Sequence, residues 1–295
     1  LKGTRPANRE RGIRLMDVGV GLPNTVRGAT GEMVLAWARK ADEGPFASLG
    51  VFDRLVYDSF DPLTTLAAAA GATRRIRLAT TIVTGPLRND ALLAKEAASL
   101  DALSGGRLTL GIALGARKED YDVAGVDFGA RGRRLADQLA ALRSYWEDEL
   151  FGPRPVQPGG PPVLVGGLAD QTYERVARYA DGYIHGGGPP RAFASAAQKA
   201  RTAWADAGRT GRPQLWGQGY YAFGEREAEA GAAYLLDYYA FTGPFAERIA
   251  AGLLTTPQAI TQFLRGYADL GCDHMVLFPA AANLDQLDRL AEVVV

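Results

Sequence analysis

Short runs rich in apolar and β-branched residues alternate along this chain with longer stretches whose apolar positions recur at helical spacing. The first run, 17–22 (DVGVGL), is stopped by Pro23-Asn24, and Val34, Leu35 and Ala38 mark a helix over about 31–43. The same pattern predicts strands at 47–53, 76–83, 108–114, 163–166, 182–186, 214–223 and 274–278. Helices are predicted at 62–73, 91–103, 131–149, 171–179, 191–207, 257–270 and 284–293, with Asp61 placed to cap the second and Pro62 in its first turn. Strict alternation of strand and helix points to a parallel sheet with helical crossovers, and eight such pairs close into a (β/α)8 TIM barrel. An open doubly wound sheet would usually stop at about five or six strands. It would also carry G-x-G-x-x-G after the first, which GVGLPN lacks.

Two segments exceed the loop length of about 2–6 residues usual between such elements. They are 115–130 after the fourth strand and 224–256 after the seventh, the latter carrying AAYLLDYYAF at 232–241. Both follow the carboxyl end of a strand, the face where barrels carry their chemistry, and so predict lids or pocket walls. For the second, a dimer contact is the other reading.

Composition narrows the function classes. A length of 295 residues suits a barrel of about 250, and a hydrophobic content of 47% allows a large core. Thirty-three basic against 33 acidic residues argue against a nucleic-acid groove or a polybasic membrane surface. The lone Cys272 excludes an internal disulfide and a multi-cysteine metal site, and fits a reducing cytoplasm. Apolar runs such as 63–71 are too short to span a bilayer. Residues 1–15 are polar and basic without an apolar signal core, and read as a loose arm or expression remnant ahead of one barrel domain at 16–295.

Three segments carry a resemblance: 51–83 (VFDRLVYDSFDPLTTLAAAAGATRRIRLATTIV), 92–121 (LLAKEAASLDALSGGRLTLGIALGARKEDY) and 161–184 (PPVLVGGLADQTYERVARYADGYI). It runs on to 270–281 (LGCDHMVLFPAA), and the LD-x-LSGGR turn entering the fourth strand is its most diagnostic part. In this order they resemble the bacterial-luciferase-like superfamily, which uses reduced FMN or the deazaflavin coenzyme F420. The resemblance implies a bulge with a non-proline cis peptide at Thr80-Thr81, pressed against the back of the isoalloxazine ring. From the residues alone, these are two β-branched strand positions. It also implies that Gly166, Gly167, Ala169 and Thr172 lie at the cofactor phosphate. Glycines let backbone approach a ligand and helix-start amides favour an anion, although Gly-Gly also makes an ordinary tight turn.

The chain departs from the family at several places. Asp53-Arg54 stands where relatives commonly have Asp-His, and arginine cannot exchange a proton near neutral pH. Arg54 is therefore a candidate for holding an anionic substrate or stabilising charge on the reduced ring, with a rim salt bridge to Asp53 as the bland alternative. Leu114 stands where bacterial luciferase has a phosphate-binding arginine. Ala116 stands where deazaflavin glucose-6-phosphate dehydrogenases have a catalytic glutamate. Arg117 could supply the phosphate contact and Glu119 or Asp120 a carboxylate, while GARKEDY could equally be a solvated turn. The family's frequent His-Pro is replaced by Asn89-Asp90. His185 is the general acid–base candidate if it faces the mouth, and a structural histidine otherwise. His274, near the barrel bottom, reads as structural, and no residue spacing suggests a metal.

The resemblance implies a cytoplasmic, homodimeric oxidoreductase acting on a small organic molecule, without nucleic-acid or membrane partners. With FMN it would be a monooxygenase; with F420 it would transfer hydride. Aromatics at 234–241 and at Trp216, Tyr220 and Tyr221 would line an apolar pocket. The rival is a flavin-binding barrel without catalysis. A flavin-free lyase or hydrolase would need a lysine nucleophile or metal cluster at strand ends, and neither is seen.

Overall fold

The computed structural model describes residues 16–294, so the predicted arm at 1–15 lies outside the described residues. In chain order the elements are β1 (Asp17–Gly21), α1 (Gly31–Glu43), β2 (Ser48–Val51), α2 (Pro62–Ala72), β3 (Arg77–Thr80) and β4 (Val83–Thr84). Next come α3 (Asp90–Ser104), β5 (Leu108–Ala113), α4 (Lys118–Ala124), α5 (Arg131–Glu147), β6 (Val163–Gly166), α6 (Asp170–Tyr179), β7 (Gly182–Ile184) and α7 (Pro190–Asp206). The last are β8 (Gln214–Tyr221), α8 (Glu225–Tyr238), α9 (Phe245–Ala251), α10 (Pro257–Ala268), β9 (His274–Pro279) and α11 (Asp285–Val294).

All strand pairings are parallel, in the order β3-β2-β1-β9-β8-β7-β6-β5-β4, and pairing of β3 with β5 closes the ring. β3 and β4 are two halves of one barrel strand, broken at a cis peptide between Thr81 and Ile82, so eight barrel strands result. The predicted barrel is thus the observed one, with the third strand interrupted. The predicted excursions contain α4 and the pair α8–α9. Among the described residues no helix is long and apolar enough to cross a membrane.

Local chemistry explains the element ends. Asp61 accepts the Thr64 N–H at the start of α2, with Pro62 at the first helical position. Asn89 does the same for α3 through the Leu92 N–H, so one departure from the family pattern is a helix cap. The LD-x-LSGGR turn is a fastening. Buried Asp101 accepts from the Val156 and Gln157 amides and from Gln157 Nε2 (2.8, 3.1 and 2.7 Å), pinning the linker to β6. Arg107 donates to the Ala70, Ile76 and Ser104 carbonyls and to Thr73 Oγ1.

The interior is filled from one side. Trp216 of β8 and Phe278 of β9 are large, and neighbouring β1 makes room with glycine: a Cβ on Gly21 would lie 2.1 Å from the Phe278 ring. At the floor His274 stacks on Trp216 (centroids 4.0 Å apart), with Nε2 2.7 Å from Ser48 Oγ. Burial pushes its pKa down to about 3, which agrees with a structural role. Gly21→Ala is expected to destabilise by about 1–3 kcal/mol through overpacking, measured by urea unfolding.

Candidate active site

The break in the third barrel strand organises the mouth. Thr80 Oγ1 donates to the Gly111 carbonyl (2.7 Å), and Thr81 donates to the Val51 carbonyl through N (2.9 Å) and Oγ1 (3.1 Å). Both hydroxyls are therefore spent tying the break to β5 and β2. Ile82, just beyond the cis bond, is the half-buried residue there, and its Cγ2 would lie 3.3 Å from a Cβ on Gly166. The cis bond thus lies one peptide later than the Thr80-Thr81 pair expected to carry it, which makes Ile82 the first residue beyond the break. Gly166 is set by this packing.

Asp53 holds the far end of the break. Its Oδ2 accepts the Thr84 N–H (2.8 Å), and Arg88 Nη2 lies 3.3 Å from both carboxylate oxygens and 3.0 Å from Asp61. Burial pushes the Asp53 carboxyl above its ordinary range, against the pull of Arg88 and the Thr84 N–H. Burial also works against the Arg88 charge, yet Asp53 and Asp61 raise its pKa. The rim salt bridge considered for Asp53 and Arg54 does not form: Asp53 pairs with Arg88, and Arg54 turns the other way.

Arg54 Nη1 donates to the Tyr238 carbonyl (3.0 Å), Nη2 lies 3.4 Å from Glu119, and the guanidinium sits 4.3 Å over the Tyr57 ring. Arg117 reaches the same carbonyl (3.4 Å) and packs 4.5 and 4.4 Å over the Tyr238 and Phe241 rings. Tyr238 ends α8, where the helix dipole favours cations. The structure therefore brings Arg117 to Arg54, and none of its described contacts reaches the Gly167 turn. Buried Asp120 accepts the Val56 N–H (2.8 Å) and is occupied.

At that turn Gly167 has φ +132°, and a Cβ there would lie 2.7 Å from Thr172 Oγ1. Residues 167–170 are exposed, and Ala169 gives α6 no side-chain cap, so the Asp170 and Gln171 amides stay available to an anion. Thr172 is buried, its N–H bonded to the Ala169 carbonyl (2.8 Å). The Tyr183 hydroxyl donates to the Gly167 carbonyl (2.9 Å) and lies 3.1 Å from His185 Nδ1.

His185 does not face the mouth. Ile184 belongs to the inner cluster, and strand alternation turns His185 outward against Phe193 of α7. Burial pushes its pKa down to about 4, so it is neutral at pH 7. Tyr221 likewise faces the outer layer, beside Phe223, while Trp216 lies at the floor. Tyr220 alone of those three reaches the mouth. Gln218, inward on β8 between Trp216 and Tyr220, was missed. Its Oε1 has no hydrogen-bond partner among the described residues, and a polar residue in the inward W-x-Q-x-Y series was the available signal.

One half of the mouth is closed by rings. Phe52 stacks on Phe278 (3.8 Å), Tyr220 and Tyr239 share a hydrogen bond (2.6 Å), Tyr234 bonds Thr25 (2.7 Å), and Tyr57 donates to Asp237 (2.6 Å). Burial raises the pKa values of Tyr220, Tyr234, Tyr238 and Tyr239, and burial with Asp237 pushes Tyr57 up to about 12. These phenols are neutral at pH 7. On the β5–β7 side the loops after the strands carry exposed Ala116, Gly167, Leu168 and Gly186.

The family model described as luciferase-like monooxygenase matches residues 16–272. An uncharacterized protein of Mycobacterium tuberculosis (strain H37Rv) is 40% identical over 140 residues, covering 42% of this chain and 48% of its own length. The oxygenase component of a flavin-dependent trigonelline monooxygenase of Acinetobacter baylyi is 31% identical over 129 residues, 39% of this chain and 36% of the relative. The chain thus matches about half or less of the length of these relatives. Among solved structures, an F420-dependent secondary alcohol dehydrogenase bound to an F420–acetone adduct superposes with a TM-score of 0.78 at 16% identity, covering 95% of this chain and 98% of the other. At that identity the likeness speaks for the fold.

Proposed function

Because the chain belongs to the luciferase-like monooxygenase family, we propose that it is an oxidoreductase acting on a small organic substrate with reduced FMN or coenzyme F420. The observation that carries the reading is the pairing of half-buried, apolar Ile82 just beyond the cis bond with the uncapped, exposed start of α6 behind Gly167. These fit the group: a flat ring system needs an apolar back wall, and a phosphate needs free amides with no Cβ in the way. In this reading Ile82 supports the ring from behind, and Thr80, Thr81 and Asp53 hold the break that carries it. Gly167, Ala169 and Thr172 form the phosphate turn, with Gly166 packed beneath. Tyr183 and His185 position the Gly167 carbonyl. When bound, the cofactor supplies hydride transfer if it is F420 and O₂ activation if it is FMN. The chain binds and orients both reactants, and the tyrosine-lined half excludes water.

Fluorescence titration with FMN and with F420, oxidised and reduced, tests the reading and decides between the cofactors. Tight binding of neither overturns it. Gly167→Ala forces a side chain into a backbone region that suits glycine and against Thr172. It is expected to weaken cofactor binding at least about tenfold while costing about 1–2 kcal/mol of stability. The reading takes the protein as a cytoplasmic homodimer. The exposed Leu92 and Leu103 of α3 offer apolar surface to a second copy, and light scattering measures the assembly.

One observation favours a non-catalytic flavin-binding barrel instead: the mouth phenols are held neutral and His185 is turned away. Cofactor binding without O₂ consumption or hydride transfer across aldehydes, ketones and aromatic substrates would decide for it.

A further inference from the structure

Resting on that reading, we infer that Arg54 and Arg117 together form the recognition site for an anionic group of the organic substrate, a carboxylate or its enolate or phenolate equivalent on a planar conjugated skeleton. The two side chains come from different loops, one after β2 and the other just before α4, and converge on a single neutral acceptor, the Tyr238 carbonyl, at 3.0 and 3.4 Å. Two like charges brought together in a half-buried place are unfavourable unless anions compensate them. The nearby carboxylates are mostly engaged elsewhere. Asp53 holds Arg88 and the Thr84 N–H, Asp120 holds the Val56 N–H, and Asp237 holds Arg27 and Tyr57. Only Glu119 reaches Arg54, at 3.4 Å and 41% exposed, where solvent weakens the pair. Arg117 makes no ion pair among the described residues.

The orientation of the guanidinium groups points to the ligand chemistry. Their flat faces are taken: Arg54 lies over Tyr57 at 4.3 Å and Tyr238 at 5.3 Å, Arg117 over Tyr238 and Phe241. What remains is the part of the N–H edge not given to the Tyr238 carbonyl and Glu119, which a carboxylate accepts in plane. Phe241, 38% exposed beside the Arg117 guanidinium, offers an aromatic surface to a conjugated body, where ring stacking adds to the area buried. A neutral substrate would leave Arg117 without an ion pair and Arg54 with only Glu119. The pair sits under α8, whereas the anion-ready amides of α6 lie at the Gly167 turn, so the cofactor phosphate has its own place.

Calorimetric titration of the purified chain with matched carboxylate and amide probes tests this: benzoate against benzamide, 4-hydroxybenzoate against 4-hydroxybenzamide, and 2-naphthoate against 2-naphthamide, each with and without saturating FMN or F420. At least one carboxylate is expected to bind tenfold or more tighter than its amide. That preference should fall below threefold in Arg117→Gln and in Arg54→Gln, and persist in part in Arg54→Lys. Amides binding as well as carboxylates, or no probe binding, would overturn the proposal. So would displacement of the carboxylate by inorganic phosphate or by the cofactor, which would assign the pair to the cofactor's own anion. The wild-type comparison needs no variant, so a poorly folding substitution leaves the test intact. A chain that selects carboxylates but binds neither FMN nor F420 would keep this site and refute the cofactor reading.

Discussion

Replacing Asp53 by alanine is expected to lower the unfolding free energy by about 3–5 kcal/mol and to abolish cofactor binding, because it leaves a half-buried cation and a buried amide short of an acceptor. The carboxylate joins three parts of the mouth: the end of β2, the Thr84 N–H beyond the cis bond, and Arg88 ahead of α3. Without it Arg88 retains Asp61, which is half exposed, and the Thr84 N–H retains nothing comparable. Ile82 lies between Thr81, tied to Val51, and Thr84, tied to Asp53, so the platform loses one of its two clamps. Asparagine can still accept the Thr84 N–H but brings no charge to Arg88. Asp53→Asn should therefore cost about 1–3 kcal/mol and keep measurable cofactor affinity. Urea unfolding with FMN and F420 titration reads both variants. If Asp53→Ala unfolds like the wild type, the platform does not depend on this clamp.

The barrel was legible because its signal is redundant. Eight repeats of strand and helix each point to the same architecture, and shifted boundaries do not alter it. The site was legible only where one residue type has one use, as with Gly167, whose positive φ requires glycine. The break in the third strand was hidden because IRLATTIV reads as uninterrupted β pattern, and the expected bulge falls one bond later than Thr80-Thr81. β7 is too short for alternation to fix its phase: Tyr183 and Ile184 are both apolar, so the outward turn of His185 could not be read. Partners distant in sequence were invisible. Arg88 is 35 residues from Asp53, and Tyr238 is 121 from Arg117. Asp53 and Arg54 are adjacent in sequence, but the first is held by the Thr84 N–H and Arg88 and the second by the Tyr238 carbonyl, so the obvious pair does not form.

Acidification from pH 7 to pH 5 is expected to remove about 4 kcal/mol of stability through the two histidines. His274 and His185 are both buried, and burial pushes their folded pKa values down to about 3 and about 4, against 6.5 for the unfolded side chain. Above 6.5 both are neutral in either state and the fold has its full stability. Below that value the unfolded chain takes protons that the folded chain refuses. Stability therefore falls by about 1.4 kcal/mol per pH unit for each histidine, until the folded values are reached. Asp53 acts in the opposite sense. Its raised pKa means that, between the folded value and 3.8, the folded state binds a proton the unfolded chain has released, so in that window acid favours the fold. A variant isolates the histidine share. His274→Gln can still bond Ser48 but cannot charge, so its loss between pH 7 and pH 5 should be about 2 kcal/mol smaller than that of the wild type, whatever its stability at pH 7. Urea unfolding at pH 7, 6 and 5 measures the slopes. Equal slopes for wild type and His274→Gln would mean that the floor histidine accepts a proton inside the barrel, with Ser48 and the Trp216 ring accommodating the charge.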